Sequence, residues 1–191
     1  MASTKPGERK LQILQTLAAM LEHPKGEKVT TAALAAKVAV SEAALYRHFA
    51  SKAQMFEGLI EFIETSVFGL INQINESQED GMVQAQSTIL MLLNFAERNP
   101  GMTRVLIGDA LVNEDERLQL RMNQLAERME MAFRQSLRLA ASQGHFAEEE
   151  AQARASLLCS FVMGRWLRFA KTGFKLLPTE QANMHIALLL L

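Results

Sequence analysis

Between residues 30 and 52 the chain reads TTAALAAKVAVSEAALYRHFASK, and its polar and cationic side chains recur there at helical spacing. Arg47 offers a planar fork of donors that fits a guanine edge or a phosphate. Tyr46 and His48 can reach phosphate oxygens or a thymine methyl. Thr30 and Thr31 stand at a helix start, where backbone N–H groups favour phosphate. Ser41 caps the next helix, on which Glu42, Ala43, Tyr46 and Arg47 point outward while Leu45 and Phe49 anchor it beneath. Ala43 and Ala44 let the backbone come close to a duplex, and Lys52 is placed to hold the sugar-phosphate backbone on the other flank. This chemistry is recognition of DNA rather than the making or breaking of bonds.

Other chemistries find no such constellation. The four histidines, His23, His48, His145 and His185, are too far apart for a metal set. The sequence has neither a glycine-rich phosphate loop nor a nucleophile elbow. Glu148, Glu149 and Glu150 fall at an expected helix start, where acids stabilise the dipole. No enzyme, metal or cofactor is therefore expected. Cys159 is the one cysteine. It reads as a small buried hydrophobe in LLCSFVM, with no basic neighbour to activate it.

The net charge of -1 conceals an asymmetry. Residues 1–52 hold eight Lys/Arg against four Glu, a balance of +4, and the rest carries 12 basic against 17 acidic residues, or -5. A basic head on an acidic body suits a DNA-binding module joined to a separate domain. No apolar run is long enough to cross a bilayer, and MASTKPGERK lacks a signal-peptide core, so a cytoplasmic, nucleoid-associated protein is expected.

The elements that must position these residues are all helical; strand patterning is absent. A first helix is expected over about 8–23, with Leu11, Leu14, Leu17, Ala18 and Leu21 inward and Pro24 and Gly26 as its stop. Thr30 or Thr31 caps a helix over 31–38, Ser41 one over 42–49, and Ser51 a long one over 52–76. Further helices follow over about 82–98, 102–111, 114–142, 147–172 and 180–191, with Gly81 marking a break. The reading is an all-α chain: a three-helix helix-turn-helix domain over 1–51 and a helical dimerisation and regulatory domain over 52–191. The long fourth helix connects them.

The run VTTAALAAKVAVSEAALYRHFASKAQMFEGLIEFIE resembles the signature of the TetR family. There a Val-Ser pair precedes a recognition helix ending in Tyr-x-His-Phe, followed by Ser-Lys. The resemblance implies a homodimer that sets two recognition helices into the major grooves of a palindromic DNA site, about one helical turn apart. One departure is Ala39, where the family usually has glycine; a left-handed backbone there would cost roughly 1 kcal/mol.

SEAALYRHF, SKAQMFEGLIEFIE and FAERNPGMTRVL are together similar to one branch of that family, the nucleoid-occlusion factors. Further islands are GDALVNEDERL, MNQLAERME and FKLLPT. The branch implies a second partner, the tubulin-like division protein FtsZ, in a groove between the fourth and fifth helices. Phe62, Arg98 and Asn99 match that groove, whereas Leu70 replaces an arginine and Asn94 a glycine. Phe62 equally fits core packing, and Arg98 and Asn99 a helix end and its cap. The segment 159–169, paired with 118–137, suits the dimer bundle, where Gly164 would permit close approach. The alternative function is a ligand-responsive repressor, its effector in the C-terminal domain among methionines that equally serve as core filling.

Overall fold

The computed structural model describes residues 6–23 and 29–191. The expected helix stop at Pro24 and Gly26, and the basic Lys5, Lys25 and Lys28, lie outside these residues. Among the described residues there are nine α-helices and no strand. They are α1 (Pro6–Leu21), α2 (Thr31–Val38), α3 (Glu42–Tyr46), α4 (Lys52–Ser77), α5 (Gly81–Arg98), α6 (Pro100–Leu106), α7 (Glu116–Ser142), α8 (Ala151–Lys171) and α9 (Ala182–Leu189).

Local capping explains the head's boundaries. The hydroxyls of Thr30, Ser41 and Ser51 accept from the N–H of Ala33 at 3.2 Å, Ala44 at 3.1 Å and Gln54 at 3.1 Å. On α1, Ile13, Leu17, Ala18 and Leu21 are buried and Leu14 is partly so, but Leu11 is 41% exposed. The expected inner face is thus corrected. Stepping back by threes from Leu17 turns the stripe about 60° each time, which leaves Leu11 beside the core and brings Ile13 into it.

Three expected helices divide differently. The 102–111 helix starts at Pro100 and stops at Leu106, because Gly108 takes a left-handed turn (φ 76°) before a short 3-10 turn at Asp109–Leu111. The 147–172 helix opens as a 3-10 turn at Glu148–Glu150. The last helix begins at Ala182, after Gln181 turns left-handed at φ 56°. The expected break falls at residues 78–80, and Gly81 opens α5 just after it. A Cβ on it would meet Ala140 N and Ser136 O of α7 at 2.3 Å, so glycine alone fits that contact.

In the body, α7 packs along α8, and α5 lies against α4, α7 and α8. The core runs without interruption from Ile13 to Ile186. Trp166 is fully buried there and donates its ring N–H to Leu92 O at 3.1 Å. Arg165, also buried, donates to the carbonyls of Leu177, Pro178 and Glu180 at 2.8, 3.0 and 2.9 Å, which shapes the turn before α9.

The head docks on the body through α1 and α6. A Cβ at Gly101 would meet Ala18 O at 1.9 Å, so the two backbones touch. Arg104 of α6 donates to the carbonyls of Leu21 and His23, both at 3.2 Å, at the end of α1.

Candidate nucleic-acid interface

Helix α2 ends in a left-handed residue, Ala39 (φ 58°, ψ 47°), with Val40 N–H bonded to Ala35 O at 3.0 Å and Ala39 N–H to Ala36 O at 3.1 Å. This paired closure turns the chain sharply toward α3. It also places the non-glycine strain where the sequence located it. Leu34, Val38, Leu45 and Phe49 are buried beneath the turn. Helix α3 is shorter than expected and ends at Tyr46, while the N–H groups of His48 and Phe49 still bond to Leu45 O at 3.0 and 3.2 Å.

The outer face carries Glu42, Ala43, Tyr46 and Arg47, all exposed, with His48 half-buried at its end. Thr31 O–H donates to Glu42 Oε2 at 2.8 Å, and Tyr46 O–H approaches Thr31 Oγ1 at 3.5 Å. Thr31 therefore ties α2 to α3 and holds the Glu42 carboxylate. Thr30 and Ser41 accept backbone N–H groups as caps, which leaves their hydroxyl protons free to donate. No hydrogen bond or ion pair engages the Arg47 side chain among the described residues. A recognition helix needs such an uncommitted cation.

Lys52 is oriented differently from the expectation. Its ammonium forms an ion pair with Glu114, in the segment before α7, and sits over the Phe56 ring at 5.6 Å. Gln54, which sequence reasoning passed over, takes Ala50 N–H at 2.8 Å and fixes the join between head and α4. Arg104, Gly101 and Glu114 were also missed, since their partners are distant in sequence and leave no local pattern.

The second residue group lies on α4 and on the last turns of α5. Phe62 is 37% exposed on α4 and Leu70 comparably so, which corrects the core-packing alternative for Phe62. Arg98 is exposed in the last turn of α5, in register with Met91 and Phe95. Asn99 does act as the cap its alternative reading described: its amide donates to Phe95 O at 2.7 Å. Asn94, one turn before Arg98 on the same face of α5, lines a cleft of about 280 Å³ with Thr179, Gln181 and Met184 beside α9.

The stretches 118–137 and 159–169, expected in a dimer bundle, each bury one face in the protomer, with Leu118, Leu137, Trp166 and Phe169 inside, and leave another open, with Leu120 and Met131 exposed on α7. The open side of α8 instead shows Leu157, Ser160, Gly164 and Leu167 at helical spacing. No atom lies within 4 Å of a Cβ built on Gly164. Burial pushes the Cys159 thiol up to about 11, with the Glu130 charge adding to it. Among the described residues no cluster of His, Cys, Asp or Glu could hold a metal, and no helix is long and apolar enough to cross a membrane.

Comparisons with known proteins agree with this arrangement. Residues 18–59 match the bacterial regulatory proteins of the tetR family, and residues 79–191 match the tetracyclin repressor-like C-terminal domain of SlmA type. The chain is 48% identical over 191 residues to nucleoid occlusion factor SlmA of Aliivibrio fischeri, covering 99% of this chain and 97% of the relative. The chain belongs to the SlmA branch of the TetR family. SlmA of Shewanella pealeana is 49% identical over 184 residues, covering 96% and 93%. Among solved structures, a TetR-family regulator from Agrobacterium tumefaciens superposes with a TM-score of 0.75 at 15% identity, covering 94% and 98%. The FadR regulator of Bacillus subtilis, solved with stearoyl-CoA, gives 0.76 at 12% identity, covering 94% and 97%. These two share the TetR fold with the chain.

Proposed function

We propose that this protein is a DNA-bound nucleoid-occlusion factor, a homodimer that keeps septa from closing over the chromosome by antagonising FtsZ assembly. The observation that carries this reading is the near-full-length identity to SlmA proteins, which spans the body as well as the head. TetR-type heads are shared by regulators of many kinds, so a matching body narrows the function further. We read residues 1–51 as the DNA-binding domain and 52–191 as the dimerisation and regulatory domain. In the DNA-binding face, Arg47 and Tyr46 contact bases or phosphates, Ala43 allows close approach, and Glu42, positioned by Thr31, sets specificity. Thr30, Ser41 and His48 take phosphates.

The dimer forms through the open face of α8. Gly164 has no packing reason inside the protomer, and a mid-helix glycine costs about 1 kcal/mol against alanine, so a second backbone approaching there accounts for it. The same argument applies to Gly69, which also has open space around it and neighbours the exposed Leu70. We place FtsZ contact on this flank, through Phe62, Arg98 and Asn99. Asn94 lies one turn before Arg98, beside α9. Leu70 and Asn94 are the departures that favour the second reading, a ligand-released repressor.

Sedimentation of FtsZ polymers with and without a DNA duplex selected by this protein tests the proposal. Loss of polymer that requires both protein and duplex supports it, and polymer yield unchanged under all conditions refutes it.

A further inference from the structure

The residue expected to hold phosphate, Lys52, is held by Glu114 instead, with side chains 22% and 12% exposed. Glu114 lies in the segment joining α6 to α7, which contains two left-handed residues, Gly108 and Asn113. The same segment bears Asp109, which accepts from Arg104 Nε at 2.7 Å and from Lys171 Nζ of α8 at 2.7 Å. Arg104 in turn holds the carbonyl of Leu21, the last residue of α1, and that of His23 just beyond it. One short segment thus touches both the start of α4 and, through Arg104, the end of α1, while remaining tied to α8. Farther along α4, Glu64 takes Arg121 in a two-pronged pair at 3.1 and 2.8 Å. In that pair the cation belongs to the body. In the Lys52–Glu114 pair it belongs to the DNA-facing end of α4.

We infer that Glu114 is a positioning residue for DNA binding: it occupies Lys52 in the free protein and gives it up to a DNA phosphate in the complex. The inference rests on the reading that the 30–52 face binds DNA. A carboxylate and a phosphate compete for one ammonium, which cannot satisfy both in full at this half-buried position. Binding DNA therefore frees Glu114 and loosens the 108–115 segment. The segment's other end, at Asp109, is joined to α8, so DNA occupancy reaches the helix assigned to the dimer. This supplies two arrangements of one element, each favoured by a different ligand state, as coupling between sites requires.

The test is a double-mutant cycle on the full-length protein. Affinities of wild type, Glu114→Gln, Lys52→Gln and the double variant are measured against a duplex selected from a random pool by the wild type, and against sheared genomic DNA. The expected result is a gain of about twofold to fivefold for Glu114→Gln on both DNAs, the worth of a single ion pair near the surface. Lys52→Gln should then weaken binding more in the Glu114→Gln background than in wild type, because the phosphate contact there no longer replaces an internal pair. Equal costs of Lys52→Gln in both backgrounds would overturn the exchange, since a gain from removing a negative charge at long range leaves Lys52 unaffected. An unchanged affinity for Glu114→Gln would overturn it as well. Thermal melts confirm folding, and Glu114→Asp, which keeps the charge but shortens the reach, serves if the glutamine variant unfolds. Absence of salt-dependent binding by the wild type, with Arg47→Ala indistinguishable from it, would instead refute DNA binding by this face.

Discussion

Among single residues, Arg47 and Ala39 matter most to the DNA face. Arg47 is exposed and uncommitted among the described residues. If it reads a base, Arg47→Ala should cost about 1–3 kcal/mol of affinity and relax preference at one position of the site. A loss that is uniform across all sequences would reassign it to phosphate. Ala39 sits at φ 58°, so Ala39→Gly should raise thermal stability by roughly 1 kcal/mol, with DNA affinity held. A drop in melting temperature would contradict the strain argument. The Cys159 thiol, buried and raised to about 11, should stay inert to an aromatic disulfide reagent at neutral pH until the protein is unfolded. Most of these residue assignments were legible because caps and turns are local: Thr30, Ser41 and Ser51 announce their helices within three residues. The pairing of Lys52 with Glu114 was not legible for the opposite reason, as the two lie 62 positions apart.

At the scale of the element, the joints between helices decide behaviour, and they were the least legible part. The α2 bounds, Thr31–Val38, agree with the sequence reading. The break at Gly108 and the left-handed Gln181 do not, because apolar spacing continues across both. The Arg104 bond to Leu21 O spans 83 positions, and no periodicity reveals such a contact. Burial works to raise the Asp109 pKa, but bonds from Lys171 and Arg104 outweigh it and hold the carboxyl below its usual range. A carboxyl so lowered stabilises the fold fully above the ordinary carboxylate pKa, and that contribution is lost as pH falls through the lowered value. Asp109→Asn should therefore reduce the melting temperature at neutral pH, and the difference should shrink as pH falls below the ordinary carboxylate range. A difference independent of pH would show that the tie is not ionic. On α8, Gly164→Leu should leave the protomer's helix content intact and shift the protein to monomer in sedimentation, because a side chain there meets no atom of its own chain. A stable dimer in that variant would place the interface elsewhere.

At the scale of the whole molecule, the basic head and acidic body are joined by one continuous core running through α4. The inferred exchange at Lys52 would reach α8 through these packed helices and the Asp109 tie. This arrangement suits a protein whose action on a partner depends on being bound to DNA. It serves equally a repressor released by a ligand, since coupling free energy is reciprocal, so the fold does not choose between them. The choice rests on the body's likeness to SlmA, on the open flank around Phe62 and Gly69, and on where the protein sits in the cell. A chromosome-wide map of its binding sites separates the two. A nucleoid-occlusion factor occupies many sites spread over the chromosome, sparse near the replication terminus and indifferent to promoters. One or a few sites confined to promoters would contradict that reading and establish a repressor.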